Sequence, residues 1–91
     1  MNTRERILDT LTTAFAPQRV EVIDESHLHA GHAGSRPGGE THYRVRIVAD
    51  AFAGKGRIER HRMINTALAA ELAGGVHALA IHASAPGEGS A

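Results

Sequence analysis

The order of elements in this sequence reads α-β-β-α-β. That order predicts a two-layer α+β sandwich, with three strands in one sheet and both helices on one of its faces. Three observations lead there. Ile7, Leu8, Leu11 and Phe15, and later Ile58, Ile64, Leu68 and Leu72, recur at helical spacing in two separate segments. Three other segments are short and alternate or run apolar, as strands do. The length, 91 residues with 42% hydrophobic, suits one domain with one core.

The first helix spans roughly residues 3–15. Asn2 is placed to cap it, Glu5 stands three positions later as in a capping box, and Pro17 ends it. Val20-Glu21-Val22-Ile23 then reads as a strand that leaves through Asp24-Glu25. Residues 26–40, SHLHAGHAGSRPGGE, are almost without apolar side chains and contain Gly31, Gly34, Gly38, Gly39 and Pro37. They are expected to form a long flexible loop, and loops of this length in small domains are usually functional or disordered.

His42 to Val48 alternates strictly, with Tyr43, Val45 and Ile47 on one face and His42, Arg44 and Arg46 on the other. This is the pattern of a half-buried strand with a wet, cationic face. Asp50 to Gly56 is a glycine-broken turn with a possible short helical turn, in which Phe52 is expected to anchor the core. The second helix is predicted from Arg57 to Ala73, with Gly56 as its cap, Glu59 in the first turn and Gly74 just past its end. Its apolar stripe is Ile58, Ile64, Leu68 and Leu72, widened by Met63 and Ala67. Val76 to Ala83 is the third strand, with Leu79 and Ile81 on one face. The domain is therefore expected over residues 1–85, and residues 86–91, PGEGSA, as a disordered tail.

Ten basic and ten acidic residues cancel, so no global charge draws the chain to nucleic acid or membrane. The balance conceals an asymmetry. Between residues 44 and 62, Arg44, Arg46, Lys55, Arg57, Arg60 and Arg62 face only Asp50 and Glu59, a local excess of +4. No apolar run approaches the ~18 residues of a membrane span. Met1 to Arg6 has no apolar stretch behind it, and a cytoplasmic location is expected. Cysteine is absent, which excludes disulfides and thiolate metal ligands from this chain alone.

Histidine is abundant instead, with seven in the chain. Imidazole is the commonest protein metal ligand. His27, His29 and His32 lie within six residues on the glycine-rich loop, which can turn a ring toward a metal without straining regular structure. The alternative is a solvated polar loop. His77 follows Gly74-Gly75 at the mouth of the third strand; it reads either as a core-facing histidine with a backbone partner or as a ligand exposed beside the loop. His61 reads as a packed, hydrogen-bonded histidine, and His42 and His82 as surface residues. Lys55, Arg57, Arg60 and Arg62 at the start of the second helix can contact phosphates or simply form a solvated face.

Catalytic constellations are missing. There is no cysteine nucleophile, Ser26 lacks a nucleophile elbow, the carboxylates are not paired, and no phosphate-binding loop occurs. A binding protein is expected, not an enzyme.

Several motifs in order resemble one family. Asp24-Glu25-Ser26 followed by His29, and Gly39-Glu40-Thr41-His42-Tyr43, are similar to the front half of BolA-like proteins. Phe52-Ala53-Gly54, Arg60-His61-Arg62 and Val76-His77-Ala78-Leu79-Ala80-Ile81 are similar to the back half, and the likeness covers roughly residues 4–84. The resemblance implies a KH-like (class II) αββαβ fold. It implies heterodimer formation with a monothiol glutaredoxin and a [2Fe–2S] cluster shared between them, in iron–sulfur and iron homeostasis or the stress response. Glutaredoxin and glutathione would supply thiolates, and no cofactor is expected on the isolated chain. The family's back-half ligand falls on His77 and its loop ligand on His29, with His27 and His32 as alternatives in a longer loop. A chain without cysteine and rich in histidine suits that role, since two imidazoles replace two thiolates on one iron in some clusters. The family resemblance also implies a competing role in transcription regulation, with weak DNA binding through Lys55, Arg57, Arg60 and Arg62.

Overall fold

The computed structural model describes residues 2–25, 42–76 and 78–88. The elements run α1 (Thr3–Phe15), β1 (Arg19–Asp24), β2 (His42–Val48), a 3₁₀ turn (Asp50–Phe52), α2 (Arg57–Ala67), α3 (Ala69–Ala73) and β3 (Ala78–Ser84). The predicted α+β fold is present.

Asn2 starts α1 as expected: its side-chain oxygen accepts from the Glu5 N–H at 2.8 Å, meeting one of the donors a helix start leaves open. Ile7 and Leu11 point from α1 into the core, and Ala16 leaves the helix in the left-handed conformation just before Pro17. The sheet order is β1-β2-β3, with β1 antiparallel and β3 parallel to β2. Strand alternation decides its two faces. Val22, Tyr43, Val45, Ile47 and Ile81 join Ile7 and Leu11 of α1 and Ile64 and Leu68 of the second helical segment in one buried cluster. Both helices therefore cover one face. The other face carries Arg19, Glu21, Arg44, Arg46 and His82, and among the described residues no helix lies over it.

Phe52 is fully buried by the 3₁₀ turn and meets Phe15 with ring centroids 5.1 Å apart, so it anchors the core as predicted. The turn behind it needs a positive φ at Gly54, 76°, which a residue with a Cβ seldom adopts.

Three expectations are corrected. The single helix over residues 57–73 is interrupted at Leu68, whose ψ of 16° is not helical. The bonds from Leu68 N–H to Ile64 and from Leu72 N–H to Leu68 persist, so the segment bends and does not stop. Ile58 is not part of the apolar stripe; it is 76% exposed. Six residues before Ile64 place it about 120° round the helix axis from that side chain. Finally, Pro86 to Glu88, placed in the expected tail, form a turn after β3: the Ala85 N–H donates to the Glu88 carboxylate at 3.0 Å and the Glu88 N–H to the Ala85 carbonyl at 3.2 Å.

Candidate functional site

At one end of the sheet three chain segments meet. β1 ends at Asp24, aligned with Tyr43, and the next N–H, from Glu25, donates to the His42 carbonyl at 2.9 Å. His42 is aligned in turn with Ala78, the first residue of β3. Glu25, His42 and Ala78 thus stand side by side where the sheet begins. The ligands read from the sequence, His77 and His29 with His27 and His32 as alternatives, lie outside the described residues, as does the whole loop over 26–40. Their attachment points are described. His77 immediately precedes Ala78 in sequence, and His29 is four residues beyond Glu25.

The donor chemistry of the described residues is restrictive. Among them no group of three or more His, Cys, Asp or Glu side chains is placed to hold a metal ion. With no cysteine in the chain, any iron–sulfur cluster needs thiolates from elsewhere, and the histidine half fits what this chain has to give.

A polar chain crosses the uncovered sheet face from the same end. The Glu25 carboxylate accepts from Arg44 Nε at 2.9 Å, and Arg44 Nη1 donates to His82 Nε2 at 2.8 Å. A guanidinium has only donors, so His82 Nε2 is the acceptor and a neutral ring carries its proton on Nδ1. The bond and charge of Glu25 hold Arg44 still more firmly protonated than usual. His82, expected at the surface, is half-buried and bonded because Arg44 leans across from β2, two residues off its register partner Arg46. His61 is half-buried, but among the described residues it makes no hydrogen bond, so only the packed part of its expected role is seen.

The basic segment divides. Lys55 and Arg57 are exposed at the start of α2, and Arg62 is 69% exposed beside Glu59 at 3.3 Å. Arg60 is different. Its guanidinium, 13% exposed, donates to the Lys55 carbonyl at 2.9 Å, the Ala83 carbonyl at 3.1 Å and both Glu88 oxygens at 2.7 Å. The Arg60 bond and the Ala85 N–H hold the Glu88 carboxyl well below its ordinary value, at about 2.

The family model described as BolA-like protein matches residues 11–88 of the chain. The chain belongs to the BolA-like family. A protein of Sinorhizobium sp, described as an uncharacterized protein in the cobS 5' region, is 54% identical over 89 residues, covering 97% of this chain and 96% of that protein. The DNA-binding transcriptional regulator BolA of Escherichia coli K12 is 49% identical over 82 residues, covering 90% of this chain and 74% of that one. Among solved structures, the BolA domain of SufE1 from Arabidopsis thaliana superposes with a TM-score of 0.88 at 44% identity, over 98% of both chains.

Two features of this BolA-like chain escaped sequence reasoning: the clamp of Arg60 on Glu88 and the Arg44 to His82 bond. The first left a signal. Arg60 precedes Ile64 by four residues and so shares the apolar side of α2, where a charge needs a partner.

Proposed function

We propose that this BolA-like chain is a binding protein and not an enzyme. It pairs one-to-one with a monothiol glutaredoxin, in the cytoplasm, and supplies histidine ligands to a shared [2Fe–2S] cluster in iron–sulfur and iron homeostasis or the stress response. The meeting of Glu25, His42 and Ala78 at one end of the sheet carries this reading, because the segments bearing His29 and His77 are both rooted there. Family membership and the donor chemistry support it: the chain has seven histidines and no cysteine. His77 and one of His29, His27 or His32 would hold one iron, with glutaredoxin and glutathione holding the other through thiolates. When bound, the cluster supplies a one-electron couple whose potential is raised by imidazole in place of thiolate.

The test is to assemble the full chain with a monothiol glutaredoxin, glutathione, iron and sulfide without oxygen, then record mass and absorption. The chain alone should be colourless. The mixture should give a coloured heterodimer with one cluster, and its spectrum should differ from that of a cluster held by glutaredoxin alone. Failure to form a heterodimer, or an unaltered glutaredoxin spectrum, sinks the proposal.

A second reading, transcription regulation through DNA, is favoured by the name of the 49% identical protein of Escherichia coli and by the exposed Lys55 and Arg57. Zero net charge argues for weak binding by phosphate contacts alone.

A further inference from the structure

We infer that a cleft on the uncovered face of the sheet is a binding site for a small phosphate ester. Two adjacent rows of side chains build it. Glu21, Arg46 and His82 are register partners across β1, β2 and β3, and Arg19, Val48 and Ser84 form the next row along. All six line a cleft of about 700 Å³, and the turn after β3 closes one end. That volume suits a single small molecule.

The lining is rich in unmet donors. Among the described residues neither the Arg19 nor the Arg46 side chain takes part in an ion pair or hydrogen bond, although both are flanked by Glu21. Arg44, one row away, is by contrast already bound to Glu25. The same Arg44 occupies His82 Nε2, which leaves Nδ1–H as the free donor of that ring. Ser84 is 6% exposed and its hydroxyl has no hydrogen-bond partner. Buried polar groups are nearly always satisfied, so a lone hydroxyl in the lining of a cleft that also holds two unpaired guanidiniums points to a ligand. Guanidinium forks match the oxygens of a phosphate.

Glu21 decides between a small ester and a nucleic acid. Its carboxylate stands on the β1 side of the site, beside Arg46 across the strands and Arg19 along its own strand, where a continuous run of phosphodiesters would meet a like charge. A single phosphate meets that one carboxylate against two guanidiniums, and Glu21 is left to accept from hydroxyls on the body of the ligand.

The test is titration of the full chain, followed by amide shifts, with inorganic phosphate, with AMP and with a short single-stranded oligonucleotide. AMP should give saturable shifts confined to residues 18–21, 46–48 and 82–87, and inorganic phosphate the same pattern more weakly. Arg46→Gln and Arg19→Gln, both at exposed positions, should each weaken AMP by about tenfold, while Lys55→Gln leaves it unchanged. The inference is overturned if neither phosphate nor AMP saturates, if the shifts centre on residues 55–61, or if Arg46→Gln binds as the wild type does. Tighter binding of the oligonucleotide than of AMP through these residues would also overturn it, by giving the site to a nucleic-acid backbone.

Discussion

Arg60 and Glu88 face each other as a forked pair, Nη1 at 2.7 Å from Oε1 and Nη2 at 2.7 Å from Oε2. With its bonds to Lys55 and Ala83, the guanidinium joins the approach to α2, the end of β3 and the following turn. The Glu88 carboxyl, at about 2 in the folded chain against an ordinary 4.5, binds its proton less readily than in the unfolded chain. Its contribution to stability is therefore present in full above the unfolded value and fades as pH falls through about 2. Urea midpoints measured from neutral pH down to pH ~2 should fall more steeply for the wild type than for Glu88→Gln, and the two curves should converge at the acid end. Parallel curves would show that the fork adds nothing to stability.

The second helical segment offers a direct contrast. Ile64 is fully buried, whereas Ile58 is 76% exposed. Ile64→Ala leaves a cavity in a packed core and should cost about 2–5 kcal/mol. Ile58→Ala should stay within about 0.5 kcal/mol, as surface substitutions do. Chemical denaturation measures both. Equal losses would return Ile58 to the core.

These two pairs show what was legible in the sequence. The faces of β2 could be read because strand alternation is local, and Tyr43, Val45 and Ile47 are buried as that pattern requires. Ile58 departs from the expected stripe because its angle round the helix turns it away from Ile64. The fork of Arg60 joins residues 28 apart and the Arg44–His82 bond residues 38 apart. Only the parallel register of β2 with β3 brings Arg44 near His82, and no local spacing reveals it. Glu25, His42 and Ala78 meet at one sheet end, while the histidines taken from the likeness, His77 and His29, lie outside the described residues. The ligand histidines themselves remain proposals from chemistry and family membership.

The split of the basic segment separates DNA binding from folding. Lys55→Glu with Arg57→Glu should leave the thermal midpoint nearly unchanged and remove any weak binding to duplex DNA. In the wild type that binding should weaken steeply with salt, and the slope should fall by about 0.9 for each phosphate that a variant no longer neutralises. Arg60→Glu should instead lower stability, because it sets a carboxylate against Glu88 in place of the fork. Fluorescence anisotropy across a salt series, beside melting curves, tests both. A stable Arg60→Glu variant that fails only in DNA binding would place Arg60 in the interface after all.

Histidine substitutions give the sharpest test of the cluster proposal, since two positions predict different outcomes. His77 is the sole histidine adjacent to the start of β3 in sequence, and no other imidazole follows Gly74-Gly75 there. His77→Ala should therefore abolish the altered cluster spectrum while the heterodimer with glutaredoxin still forms. His29→Ala should weaken cluster retention less, because His27 and His32 on the same segment can replace it. The triple replacement of His27, His29 and His32 by Ala should then match His77→Ala. Size-exclusion chromatography reports the pair and visible circular dichroism reports the ligands, so a folding defect is distinguished from a missing ligand. If His77→Ala keeps the wild-type spectrum, the ligand assignment fails.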